Sequence, residues 1–389
     1  MEDSDSMICM QTIDENGQYH GAVATPIFQT SLFAQPDFET FTKVHQKERE
    51  NFVYSRGVNP TVRALEIKLA TLERAEECKC FASGMGAISA TMLTLLQQGD
   101  HVLFLNTIYG PTRQLLDFLH RYGVSYDHSN PVKSDIERDI KPNTKVIYLE
   151  SPSTNLMDVA DLKAISTLAK QHNIVTVIDN TWSTPLFQKP LEFGIDLVLH
   201  SLTKYIGGHS DLIGGAVAGN RKTIDRIFEE GFLLTGSVLS PNDAFLVLRG
   251  LSTLPVRMKQ HWENAKDVIA YLLHQPEVEH IFHPSQATGE TKKIVQNQMK
   301  GFSGLLSFSI RDASFEDVRT FINAFTLFKI GVSWGGYESL VIAPIRENNA
   351  EKLRSENIPP GLIRLSIGLE GSALQINDLN KGFNALRNR

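Results

Sequence analysis

At 389 residues, 42% of them apolar and 21% charged, the chain has the make-up of an ordinary globular protein too long for one simple core. A net charge of −6 supplies no basic field for nucleic acid or an anionic membrane, so neither partner is expected. Three cysteines, Cys9, Cys78 and Cys80, are too few for a disulfide framework, and Cys78-Lys79-Cys80 lacks the spacing and second pair of a zinc site, so no metal is expected.

The opening "MEDSDSMICMQT" is acidic and without a long apolar core, and reads as neither signal nor transit peptide. No later run approaches the roughly 18 apolar residues of a membrane span. A cytoplasmic, reducing location is the expectation. Residues 1–58 are irregular, with scattered aromatics such as Phe28, Phe33, Phe38 and Phe41, and read as an extended arm of the kind that packs on a neighbouring subunit.

From Asn59 the pattern turns regular. "NPTVRALEIKLATLE" offers Asn59 as N-cap, Pro60 at the first helical position, and Leu65, Leu69 and Leu72 on one face. "GMGAISATMLTLLQQGD" is a glycine turn opening an apolar helix, with no good strand before it. "HVLFLN" is a strand, Thr112 to Tyr122 a helix, "KVIYLE" a strand, Asp161 to His172 a helix, and "IVTVID" and "DLVLHS" two more strands. Short apolar runs alternating with helices predict an α/β fold with a doubly wound, mostly parallel sheet over residues 59–250. After Leu251 a long helix near "VRMKQHWENAKDVIAYLLHQ" precedes "LLSFSIR", "LFKIGVSW", "LVIAPI" and "LIRLSIGLE", which predicts a smaller α+β domain over 251–389 with an antiparallel sheet.

Four groups fall at predicted strand ends, where ligands of such sheets bind. Ser83-Gly84-Met85-Gly86 could hold a phosphate on helix amides. Asp179 ends an apolar strand, where a carboxylate is costly to bury without a cation. Tyr109 follows "HVLFLN" as a stacking aromatic. Ser201, Thr203 and Lys204 close "DLVLHSLTK". Alone, each reads more simply as a turn or cap. Together they suit pyridoxal 5'-phosphate (PLP), whose aldehyde needs a lysine, whose phosphate needs amides and hydroxyls, and whose ring nitrogen needs an acid.

The segments "YSRGVNPT", "ASGMGAI", "NTIYGPT", "ESPSTN", "IDNTW", "DLVLHSLTKYIGGHSD", "SWGGYESL" and "LIRLSIGLE" resemble, in order and over nearly the whole chain, the Cys/Met metabolism family of PLP-dependent enzymes. The resemblance implies the fold type I architecture of aspartate aminotransferase. It makes Lys204 the Schiff-base lysine and catalytic base, Asp179 the ring-nitrogen partner, and Tyr109 the stacking ring and a second proton donor. Gly84, Met85, Ser201 and Thr203 would hold the phosphate. Tyr54 and Arg56 would reach the phosphate of a neighbouring subunit, Tyr54 also touching substrate, within a homotetramer built as a dimer of dimers. Arg364 would grip the substrate carboxylate beside Ser333 and Trp334.

One fold and one cofactor serve several reactions here. Ser333-Trp334-Gly335-Gly336-Tyr337-Glu338 looks like the bacterial cystathionine β-lyase form, where γ-acting members commonly carry Leu at the Trp position. Val332 stands where γ-acting members often have Glu, Thr154 where they usually have Asn, and Pro111 where methionine γ-lyases have Cys; Leu202, a milder departure, leans neither way. The expectation is a carbon–sulfur lyase that cleaves L-cystathionine or a related S-substituted cysteine by β-elimination. The alternative is a cystathionine γ-lyase, a γ-synthase or an O-acyl-homoserine sulfhydrylase.

Overall fold

The computed structural model describes residues 3–14, 17–130 and 136–389. Seven strands, β1 (Glu77–Phe81), β2 (His101–Leu105), β3 (Ser125–Ser129), β4 (Thr144–Glu150), β5 (Val175–Asp179), β6 (Leu197–Ser201) and β7 (Gly215–Gly219), form a sheet in the order β1-β7-β6-β5-β4-β2-β3. From β3 to β6 all pairs are parallel, and β7 runs antiparallel to both β6 and β1. The central strands are near-continuous apolar runs because both faces are covered. Their carboxyl ends bring Glu150, Asp179 and Ser201 to one edge.

Helix α1 (Asp3–Met10) lies in the stretch read as irregular, whereas α2 (Pro60–Glu73), α3 (Gly84–Leu95), α4 (Gly110–His120) and α5 (Leu162–Gln171) follow the expected signals. Asn59 caps α2 through the Thr61 amide, and Asp161 caps α5 through the Ala164 amide.

A strand does precede the glycine turn, contrary to the sequence reading. β1, "ECKCF", hides behind its charges: Lys79 is fully buried yet lies 3.0 Å from Glu66, and Glu77 takes up Arg49, Arg63 and Arg221. Burial opposes the charge on Glu77, and those guanidiniums overcome it and lower its pKa. The N-terminal arm also begins differently than expected. Helix α1 docks on its own subunit, with buried Asp5 paired to Arg74 at 2.8 Å and Lys189 at 3.1 Å.

The second sheet holds β8 (Val278–Phe282), β9 (Leu305–Ile310), β10 (Lys329–Ile330), β11 (Leu340–Ile342) and β12 (Leu362–Ser366) in the order β10-β11-β12-β9-β8, antiparallel except β10–β11. Only Lys329–Ile330 of "LFKIGVSW" is strand; Phe328 joins the core before it, and Val332 to Trp334 turn into the cavity described below. Helix α6 (Pro241–Leu272) runs unbroken through position 251. Its first half packs with Leu202 and Tyr205 of the first core and its second half with Leu306 and Phe308 of the other. The helices α7 (Phe315–Asn323) and α8 (Ser372–Arg387) cover this sheet. Among the described residues no helix is long and apolar enough to cross a membrane.

Candidate functional site

A cavity of ≈ 600 Å³ opens where the carboxyl ends of β4, β5 and β6 face the segment 332–334 and strand β12. Ten of the twelve residues singled out from sequence line it: Gly84, Met85, Tyr109, Asp179, Ser201, Thr203, Lys204, Ser333, Trp334 and Arg364. Tyr54 and Arg56 do not. They stand exposed on the arm with the Arg56 guanidinium 5.6 Å from the Tyr54 ring centre.

One end of the cavity is built to receive an anion. Helix α3 points its N-terminus there, with Ser83 as N-cap accepting from the Gly86 amide at 2.9 Å. Gly215 on β7 keeps that end narrow, since a Cβ there would stand 2.2 Å from the Ser83 carbonyl oxygen. The backbone amide of Ser201 donates to Thr181 Oγ1 at 2.8 Å, and Thr203 Oγ1 accepts from the Gly214 amide at 3.1 Å.

At the centre stands Lys204, whose Nζ donates to Ser333 Oγ at 2.6 Å and lies 5.5 Å from the Trp334 ring centre. Burial and the nearby Arg364 charge pull its pKa down to about 8, with Asp179 opposing. Asp179 accepts from the Thr181 amide at 2.9 Å and from the Thr181 hydroxyl. Withdrawal from water nevertheless raises its pKa, the mark of a carboxylate short of a cation.

Arg364, on β12, donates to the Ser333 carbonyl at 3.5 Å, and no carboxylate lies within ion-pair range of it among the described residues. A largely enclosed guanidinium without a counter-ion is a ready seat for a ligand carboxylate. Ser333 itself adopts φ +82°, a backbone region a serine rarely occupies, and so presents its hydroxyl to Lys204 and its carbonyl to Arg364.

The reading of the sequence missed Glu150, although it sits inside "ESPSTN". It ends β4 in register with Asp179 on β5, almost fully buried. Its Oε1 accepts from the Tyr109 amide at 2.5 Å and its Oε2 from Thr154 Oγ1 at 2.6 Å. Burial, with Asp179 adding to it, pushes its pKa up to about 8. The signal that could have found it is the alignment of two strand ends, each closing on an acid.

An anion cradle, a half-buried acid and an enclosed guanidinium, each without an ion pair among the described residues, and a lysine of lowered pKa fit PLP and an amino acid. A family model, described as Cys/Met metabolism PLP-dependent enzyme, matches residues 6–384. The chain belongs to the Cys/Met metabolism family of PLP-dependent enzymes. It is 39% identical over 94% of its length to L-methionine γ-lyase from Pseudomonas putida, covering 93% of that protein. It is 38% identical over 93% of its length to cystathionine β-lyase from Lactococcus lactis subsp. cremoris, covering 94% of it. A cystathionine γ-synthase from Xanthomonas oryzae pv. oryzae, solved with aminoacrylate and cysteine, superposes with a TM-score of 0.91 at 32% identity, with 100% of each chain covered. The protein is therefore an enzyme of a carbon–sulfur lyase family with PLP as cofactor, and its relatives carry out both β- and γ-chemistry.

Proposed function

We propose that this enzyme cleaves the Cβ–S bond of L-cystathionine, or of a related S-substituted cysteine, by β-elimination. The observation that carries the reading is the flank of Lys204. Ser333 fixes the amine, and its neighbours Val332 and Trp334 bring no titratable group to the cavity. γ-Elimination requires a second proton removal, at Cβ, after the first at Cα. A flank with no titratable side chain suits a reaction that needs one base and one acid.

In this reading the ten lining residues and the two exposed ones keep the roles that the resemblance implies. The N-terminus of α3, Ser201 and Thr203 would hold the cofactor phosphate, Asp179 its ring nitrogen and Tyr109 its ring face. Lys204 would anchor its aldehyde until substrate arrives. Bound PLP supplies an electron sink for the pair left when the α-proton is removed. Arg364 would hold the substrate carboxylate, since the Thr154 hydroxyl is already committed to Glu150. Lys204, with its lowered pKa, takes the α-proton as a free amine. The Cβ–S bond then breaks with its electrons on sulfur, and the Lys204 ammonium or the Tyr109 phenol returns a proton to the thiolate. Addition of water to the remaining three-carbon fragment gives pyruvate and ammonia. A second copy of the chain would supply Tyr54 and Arg56, and an arm with Val23 at 89% and Phe38 at 79% exposure supports such a partner.

The test is the keto acid released from L-cystathionine by the PLP-loaded enzyme. Pyruvate with homocysteine is the expected result. 2-Oxobutyrate with cysteine would move the enzyme to γ-elimination, the activity in the name of its Pseudomonas relative.

A further inference from the structure

We propose that Glu150 is a positioning residue: its carboxyl group clamps the Tyr109 turn to the end of β4 and so sets where the Tyr109 ring stands in the cavity. The inference rests on the proposed place of Tyr109 against the cofactor ring, and it is independent of the choice between β- and γ-chemistry.

Tyr109 opens α4 as its N-cap without any side-chain cap, and its phenol makes no hydrogen bond among the described residues. Nothing on the side chain therefore holds the ring, and its place follows from the backbone. That backbone is held on one side by α4, where the Tyr109 carbonyl takes the Thr112 amide at 3.0 Å, and on the other by the Tyr109 amide on Glu150 Oε1, its link to β4. The other oxygen of the same carboxyl group takes the Thr154 hydroxyl. The two loops it spans are also joined directly, through the Thr154 amide on the Thr107 carbonyl at 3.3 Å and the Thr107 hydroxyl on the Thr154 carbonyl. One buried side chain thus locks both loops at the mouth of β4.

The arrangement is costly, which argues that it is used. Glu150 lies directly opposite a second acid, Asp179, with almost no exposure to water. The two hydrogen bonds of the clamp offset that cost only because both are formed.

The test is made on purified apoenzymes titrated with PLP, reading cofactor affinity and the visible circular dichroism of the bound ring. Tyr109→Ala should weaken PLP binding and change the dichroism; an unaltered Tyr109→Ala protein removes the premise and the inference with it. Given that premise, Glu150→Ala should weaken PLP binding about tenfold with the same change in dichroism, and Glu150→Gln should recover most of both, because the amide can still engage the Tyr109 amide and the Thr154 hydroxyl. The double variant should be no weaker than Tyr109→Ala by more than about twofold, since the two residues act as one unit. Affinity and dichroism within about twofold of the parent in Glu150→Ala, or losses that multiply in the double variant, would overturn the clamp. Where Glu150→Ala does not fold, Glu150→Asp is read by the same criteria, its arm being one methylene too short to make both bonds.

Discussion

Lys204 illustrates how burial turns an ordinary side chain into a reactive one. At its usual pKa of about 10.5 a lysine amine is free in only about 0.1% of molecules at pH 7.4, whereas at about 8 the free fraction is about a fifth. The gain comes from desolvation first and from the Arg364 charge second, and Asp179 pulls the other way. Covalent capture of PLP by the apoenzyme should accordingly speed up about tenfold per pH unit below pH 8 and level off above it. Stopped-flow absorbance between pH 6 and 10 reads this directly. Arg364→Gln should move the inflection to higher pH, and a rate still climbing steeply at pH 10 would mean that the amine is not desolvated as described. Lys204 and Asp179 could be found in the sequence because each breaks an apolar run at a strand end. Glu150 does the same, but its partners Tyr109 and Thr154 come from separate loops, so its meaning appears only when β4 and β5 lie side by side.

Elements were legible where local chemistry and burial agree, and hidden where a distant partner made an unsuitable residue acceptable. The cap Asn59, the helix from about Asp161 and the apolar strands β4, β5 and β6 read directly. β1 did not, because Lys79 becomes a strand-interior residue only through Glu66 of α2. β7, "GAVAG", is too poor in bulky residues to declare itself, its glycines being required by close neighbours such as Ser83. Asp378 on α8 is a further case of a long-range device. It accepts from the amides of Thr326, Leu327 and Phe328 and pairs with Lys381, and so holds the turn that leads through β10 toward Ser333. Burial works against its charge, yet these donors bring its pKa to about 2. The folded value lies below the unfolded one, so its contribution is present above about pH 4 and is lost as pH falls toward 2. Asp378→Ala leaves three amides unpaired, that of buried Phe328 among them, and should cost about 2 kcal/mol at pH 7 by urea denaturation, with a smaller difference at pH 3. An equal cost at both pH values would show that the carboxylate charge is not what holds the turn.

At the scale of the whole molecule, one chain encloses a cavity with a lysine, an acid and a guanidinium but leaves Tyr54 and Arg56 outside it, on an arm whose start is pinned by Asp5 and whose middle exposes Leu32 and Phe38. An arm anchored at its root and carrying exposed apolar side chains such as Val23, Leu32 and Phe38 is suited to reach across to a second copy with little loss of freedom on binding. If Arg56 serves the neighbour's cofactor phosphate, Arg56→Ala and Lys204→Ala should each be nearly inactive for different reasons. Lys204→Ala lacks the base in its own cavity, and Arg56→Ala disables the cavity of its partner. Mixed by unfolding and refolding together, half of the pairs would be hybrids in which one cavity has both an intact lysine and an intact arginine from the other chain. Activity should then return to about a quarter of the parent value at random two-fold pairing. No recovery, with hybrid formation verified by a tag on one variant, would place Arg56 in service of its own subunit and reduce the exposed arm to a packing surface.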